Sequence, residues 1–333
     1  MKSVFLKGMI FLSVIFLADR VIGVTCKKLY EQSNDFTIAK LRYTMNATHE
    51  EILVLGSSRA EYHFVSPILK GVTGLNTYNC GFGGSDLLFS KIQLHEALKR
   101  YTPRFVVLES SPSSFFIPNA EDTRRMLLPY YKKDTLIYNT LTRKHVFEKV
   151  KFVSSIYPYN STIASLVKGR FKKNTDSLGG YLPVYGAIDT NGLEQHIGKA
   201  YASPELPGEP FSWLQDIADM CAKKNITLFI VSSPVYKVNG YHDEMVSRLR
   251  RFCEKFEQVY YLDYTRHELT YLKQHLFKDN THLNAEGARI FTDCFARDFR
   301  KMVPPALFAK NTGDTDPAGI QPVRVEAQKA VKK

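Results

Sequence analysis

Ile52-Leu53-Val54-Leu55 is a continuous apolar run closed by Gly56, the pattern of a strand buried on both faces. Residues 76–80 read as a second strand that runs into Gly81-Phe82-Gly83-Gly84. Ser85 is then placed to cap an amphipathic helix carrying Leu87, Leu88, Ile92 and Leu98. Pro103 stops that helix, and residues 105–108 read as a third strand. Between Ser110 and Pro210 the strand-and-helix rhythm lapses into a basic, aromatic stretch broken by Gly179-Gly180, Pro183, Pro204 and Pro207. It then resumes: helix 211–224, strand 226–231, helix 241–256, strand 259–262 and a last helix over 284–302. Strands that alternate with helices predict an α/β fold with a central parallel sheet covered on both faces, a three-layer α/β/α sandwich.

The N-terminus follows a different pattern. Met1-Lys2-Ser3 precedes a mostly apolar run with Lys7 inside it, most continuous over 8–18, then Asp19-Arg20 and a second apolar patch at 21–24. The clean part is too short to span about 30 Å of hydrocarbon without its flanks, and no small-x-small cleavage site follows it. An uncleaved signal-anchor is expected ahead of a cleaved signal peptide or a buried helix. The expected organisation is a signal-anchor or transmembrane segment at 1–25, a linker helix at 26–49, an α/β domain at 50–305 with an insertion at about 110–210, and a disordered tail at 306–333. The insertion is read as helices and loops laid over one end of the sheet, not as a domain of its own.

An apolar fraction of 44% and a charged fraction of 23% are ordinary for a globular chain of 333 residues. The net charge of +12 is unevenly placed: between Thr123 and Lys173 there are twelve Lys and Arg against two acids, Asp134 and Glu148. Such a stretch suits anionic glycans or lipid headgroups, or is a set of solvated helix faces. Nucleic acid is not expected as a partner of a chain that leaves the cytosol. The five cysteines have no metal-type spacing and read as small buried hydrophobes, with a disulfide among Cys221, Cys253 and Cys294 left open.

On open α/β sheets, ligands gather beyond the carboxyl ends of the strands. Leu55-Gly56-Ser57-Ser58-Arg59 leaves the first strand there, Asn79-Cys80-Gly81-Phe82-Gly83-Gly84-Ser85-Asp86 leaves the second, and Lys278-Asp279-Asn280-Thr281-His282 precedes the last helix. An acid and a histidine three residues apart on a loop can face one another, so that Asp279 holds one ring proton of His282 and the other nitrogen serves as base. A serine hydroxyl needs such a base to become a nucleophile. Taken singly, each segment also has a plain structural reading: a turn, a tight glycine loop, a helix cap. His275 has no third metal ligand spaced with it, so no metal and no cofactor is expected.

LGSSR, NCGFGG and DNTHLNAEG, in this order, resemble the first, second and fifth sequence blocks of the SGNH/GDSL hydrolase superfamily. The resemblance covers about 50–109 and 211–302 and implies a flavodoxin-like sandwich, the SGNH hydrolase fold. By motif position it implies Ser58 as nucleophile, His282 as base, Asp279 as the orienting acid, and the N–H groups of Ser58 and Gly84 as oxyanion donors. Ser57 stands where the hydrolases carry the Asp of their GDS motif. This GSS form resembles the branch with envelope O-acetyltransferase-related proteins and the D-alanylation protein of teichoic acid synthesis. The third-block Asn has no match in Leu108-Glu109-Ser110-Ser111, which leaves Ser110 or Ser111 as substitutes. Arg59 and Asn79 are the candidate substrate-binding residues.

The expectation is an extracytoplasmic, single-pass membrane enzyme that transfers or removes an O-acyl group on an envelope glycan. A membrane-bound acyltransferase is an expected partner. A simple carboxylesterase acting on small esters and an inert glycan-binding or assembly protein are the alternatives.

Overall fold

The computed structural model describes residues 2–115, 120–143, 147–169, 178–189, 208–238 and 242–308. In chain order the elements are α1 (Lys2–Gln32), α2 (Phe36–Asn46), β1 (Ile52–Leu55), α3 (Ser58–His63), α4 (Ser66–Thr73), β2 (Thr77–Asn79), α5 (Leu87–Leu98) and β3 (Phe105–Glu109). There follow α6 (Ala120–Leu127), α7 (Thr135–Thr142), α8 (Phe147–Lys151), α9 (Ile163–Gly169), α10 (Gly208–Lys223), β4 (Thr227–Ser232), α11 (His242–Cys253), β5 (Val259–Asp263) and α12 (Ala285–Met302). The chain divides into two compact units, one of residues 1–47 and 120–176, the other of 48–119 and 177–333. The expected tail falls outside the described residues from 309 onward, as does the insertion over 190–207.

The larger unit holds a five-stranded, all-parallel sheet in the order β2-β1-β3-β4-β5. This is the flavodoxin-like order, with its switch point between β1 and β3. The central strands are buried almost throughout and apolar except at their ends, at Glu109, Thr227 and Ser232, because both faces are covered. On one face Ile52, Val54, Phe105, Val107, Phe229 and Val231 form a core with Phe291, Phe295 and Phe299 of α12. Those three phenylalanines recur every fourth residue, so they share one side of the helix. The rings of Phe105 and Phe229 lie 5.1 and 4.9 Å from that of Phe299, edge-on and tilted. The alternate residues of each strand point to the opposite face, where α5 and α10 pack on one another. The expected three-layer α/β/α sandwich is the observed one.

Two local readings are corrected. The cap of α5 is Asp86, whose carboxylate accepts the Phe89 N–H at 3.1 Å, while the Ser85 hydroxyl donates to the Gly56 carbonyl. Cys294, read with the other cysteines as buried, is only part-buried. All five cysteines are free thiols.

In the smaller unit α1 is a 31-residue helix, apolar and long enough to cross a membrane by length and composition. It runs unbroken past residue 25, and its last turns bury Cys26 and Tyr30. The Tyr30 hydroxyl meets that of Tyr130 at 3.0 Å, and α9 and the turn at 157–159 pack on α1.

Candidate active site

The site begins where β1 and β2 end. Gly56 has φ +136°, and a Cβ there would lie 2.7 Å from the Glu109 carbonyl oxygen, so only glycine lets the chain leave β1 this close to β3. A Cβ at Gly81 would lie 2.5 Å from the Glu61 nitrogen, which sets the glycine loop directly against α3. The Phe82 N–H donates to the Gly56 carbonyl at 3.1 Å and joins the two strand ends. Ser58 is thereby held in the first turn of α3, directly after Ser57.

The imidazole of His282 comes from the loop before α12. One oxygen of Asp279 accepts the backbone N–H groups of Thr281 and His282 at 2.8 and 3.0 Å, which folds residues 279–282 into a tight turn. That turn brings the imidazole back over its own loop, with Nδ1 2.8 Å from the second Asp279 oxygen. His282 Nε2 then lies 2.8 Å from Ser58 Oγ, across 224 positions of sequence. Burial would raise the Asp279 carboxyl, but the hydrogen bonds and charge from His282 and the bonds from Thr281 outweigh it and hold the group at about 2. Asp279 is therefore an anion at neutral pH. An anion on Nδ1 keeps the ring proton there and leaves Nε2 to accept the serine proton.

A buried polar group supports this loop. The Leu283 N–H donates to His63 Nε2 at 2.9 Å, which makes Nε2 an acceptor and places the His63 proton on Nδ1. Nδ1 donates to Ser233 Oγ at 2.8 Å, and that hydroxyl donates to Glu109 at 3.0 Å. Arg59 donates to the Ser233 carbonyl and lies 3.2 Å from the same Glu109 oxygen. Burial pushes His63 well below its ordinary value, and the Arg59 cation and His282 add to the effect, so His63 is neutral. Burial likewise raises Glu109, with Arg59 opposing it. The ring of Tyr62 meets His282 edge-on at 5.4 Å.

The structure thus brings Ser58, His282 and Asp279 together. It sets Arg59 and Asn79 elsewhere: Arg59 is 5% exposed and turned to Ser233 and Glu109. Asn79 is fully buried, its amide donating to the Ala60 and Phe64 carbonyls and its oxygen accepting the Gly81 N–H. Gly84 follows Gly83 in the turn after β2, and the Gly83 N–H is taken by the Glu61 carboxylate at 2.8 Å. At the end of β3, Ser111 Oγ lies 3.2 Å from Ser114 Oγ, whereas Ser110 Oγ is buried with no hydrogen-bond partner among the described residues. His63, Ser233, Glu61 and Tyr62 were missed in the sequence. The strand-end rule applies equally to Ser232-Ser233 after β4, and His63 stands four residues from Arg59, on the same side of α3.

No family model matches the chain. No curated protein matches it either. Among solved structures, a protein named as a candidate platelet activating factor from Streptococcus pneumonia aligns with 84% of this chain and 98% of its own, at 10% identity and a TM-score of 0.38. A protein named as a candidate acylhydrolase from Bacteroides fragilis aligns with 77% of this chain and 89% of its own, at 11% identity and a TM-score of 0.36. At such scores these likenesses carry no weight for function, which has to be argued from the site itself.

Proposed function

We propose that the protein is a membrane-anchored serine acyl-ester enzyme with Ser58, His282 and Asp279 as its catalytic triad. The observation that carries this reading is the continuous contact Ser58–His282–Asp279, at 2.8 Å for each link. In the first step Ser58 Oγ attacks an ester carbonyl while its proton passes to His282 Nε2. The Ser58 and Gly84 N–H groups receive the oxyanion, and Ser110 Oγ, with no hydrogen-bond partner among the described residues, is assigned as the third donor in place of the absent Asn. The bond to the alcohol breaks as the imidazolium returns the proton to the departing oxygen. An acyl-Ser58 ester remains. A second hydroxyl, deprotonated by His282, attacks that ester, and Ser58 recovers its proton.

The acceptor assigned here is a sugar hydroxyl of an envelope glycan, with acetyl as the acyl group. Support comes from the GSS motif at Gly56-Ser57-Ser58, from the cationic stretch at 123–173 and from α1. The last turns of α1 contribute buried residues to the smaller unit, which favours an uncleaved anchor over a leader peptide. An acceptor of this kind requires the remainder of the chain to lie outside the cytosol.

The test is covalent labelling of the full chain in membranes by a fluorophosphonate probe. Wild type labels and Ser58→Ala does not; an unlabelled wild type, or equal labelling of the variant, ends the proposal. Acetate release from p-nitrophenyl acetate, compared with acetyl transfer to an oligosaccharide, then separates water from sugar as the acceptor.

A further inference from the structure

α8 is built the wrong way round for a helix on a soluble surface. Its acidic residue, Glu148, is buried and bonded to Arg124 at 2.8 Å, Tyr157 at 2.6 Å and Lys151 at 2.7 Å. Just after the helix, Phe152 stacks on Tyr131 at 4.4 Å. The opposite side carries Phe147, Val150 and Val153, which are 76%, 63% and 63% exposed. These follow one another at every third residue, and the Val153 N–H donates to the Val150 carbonyl at 3.0 Å, so the helical path continues and the three side chains line one face. Single apolar residues at a surface need no explanation, but a face of three with a buried carboxylate behind it does.

The position of this face is fixed by α1. Residues 2–18 of α1 are exposed, a length of about 25 Å at 1.5 Å per residue. At Asp19 the helix first meets the rest of its unit: its carboxylate accepts the Ser155 N–H at 2.8 Å and the Ser154 hydroxyl, and Arg20 donates to the Val153 carbonyl. Gly23 lies so close to Ser155 that no Cβ could be added, which locks the register. The apolar face of α8 therefore ends at the residue that receives Arg20, where α1 first meets the unit, while Val21, Ile22 and Val24 stay exposed on the free side of the helix. Lys149, on the same helix, is exposed beside it and matches the charge of an anionic headgroup layer.

We propose that Phe147, Val150 and Val153 seat in the interfacial layer of the bilayer that α1 enters, a second membrane contact that fixes the tilt and depth of the smaller unit. This rests on α1 being a retained span. The test places single indoles in the full chain carrying Trp213→Phe, reconstituted in phosphatidylcholine–phosphatidylglycerol vesicles containing lipids brominated near the headgroup or deep in the acyl chain. Phe16→Trp reports on the span, Phe147→Trp on the proposed contact, and Tyr185→Trp, at a residue 72% exposed in the larger unit, serves as a reference.

The expected result is deep-bromine quenching at position 16, and at position 147 at least twofold stronger quenching by shallow bromines than at position 185. Quenching at 16 without quenching at 147 keeps the span and overturns the second contact. No quenching at 16 overturns the span and the proposal with it. A blue-shifted but unquenched indole at 147 means that protein, not lipid, covers the face, and overturns the proposal too.

Discussion

His63 Nε2 accepts the backbone N–H of Leu283 at 2.9 Å, one residue after His282. This bond ties the loop that carries His282 to the helix that carries Ser58, since His63 and Ser58 are the two ends of α3. His63→Ala removes the acceptor and leaves a buried N–H unpaired, a loss of about 1–3 kcal/mol in stability. In the proposed enzyme kcat falls while KM changes little, because the substrate meets no part of His63. His63→Gln, whose amide oxygen can accept the same N–H, restores part of both. Denaturant unfolding and steady-state kinetics of the three proteins check this.

The same residue sets an acid limit. His63 takes up a proton more readily unfolded, near the ordinary value of about 6.5, than in the fold. The unfolded chain thus binds more protons below that value, and stability rises with pH through this region. On acidification His63 contributes a progressive loss of stability from about pH 6.5 downward. Melting temperatures measured from pH 8 to 5 fall for wild type, and the fall is shallower for His63→Gln.

Asp279, held at about 2 against 3.8 for the free side chain, contributes stability above pH 4 that is lost as the pH falls toward 2. Asp279→Asn removes this contribution and favours the wrong ring tautomer of His282. Turnover is expected to drop by about 10⁴, as in other enzymes in which the triad acid is replaced by its amide. Labelling rates with a fluorophosphonate measure the effect directly on Ser58.

Glu109→Ala leaves the Arg59 guanidinium buried beside Ser233 without its counter-charge. The expected cost is about 3–5 kcal/mol. Glu109→Gln keeps an acceptor for the Ser233 hydroxyl and costs less. Chemical denaturation of the two variants distinguishes them.

Phe299 touches Phe105, Phe229 and Phe295 at the centre of one face of the sheet. Phe299→Ala creates a cavity there and costs about 3–5 kcal/mol. Because α12 follows directly on the 279–282 turn, loss of labelling is expected to track loss of folded protein.

The central strands were legible because burial on both faces leaves apolar runs: Ile52 to Leu55 is β1 to the residue, and the other strands shift by at most one position at either end. The polar support of the base loop was not. Arg59, Glu61 and His63 in one short helix look like solvated positions, and only the fold reveals that Glu109 at the end of β3 and Ser233 just after β4 receive Arg59 and His63, while Glu61 accepts the Gly83 N–H. Arg59 illustrates the difficulty: beside a candidate nucleophile it invites a role with substrate, yet its partners lie 50 and 174 positions away, inside the sheet. Ser85 shows the same at short range, where two adjacent residues can both cap a helix and the hydroxyl is claimed by the Gly56 carbonyl instead.

The separation of 224 positions between Ser58 and His282 also bears on synthesis. A chain still emerging from the ribosome carries the hydroxyl long before it carries the imidazole. Until the final helix is made and docks, Ser58 is an ordinary alcohol. Under the proposed mechanism, the membrane segment is inserted first and reactivity arrives last, so a truncated or unfinished product has no means of attacking the esters around it.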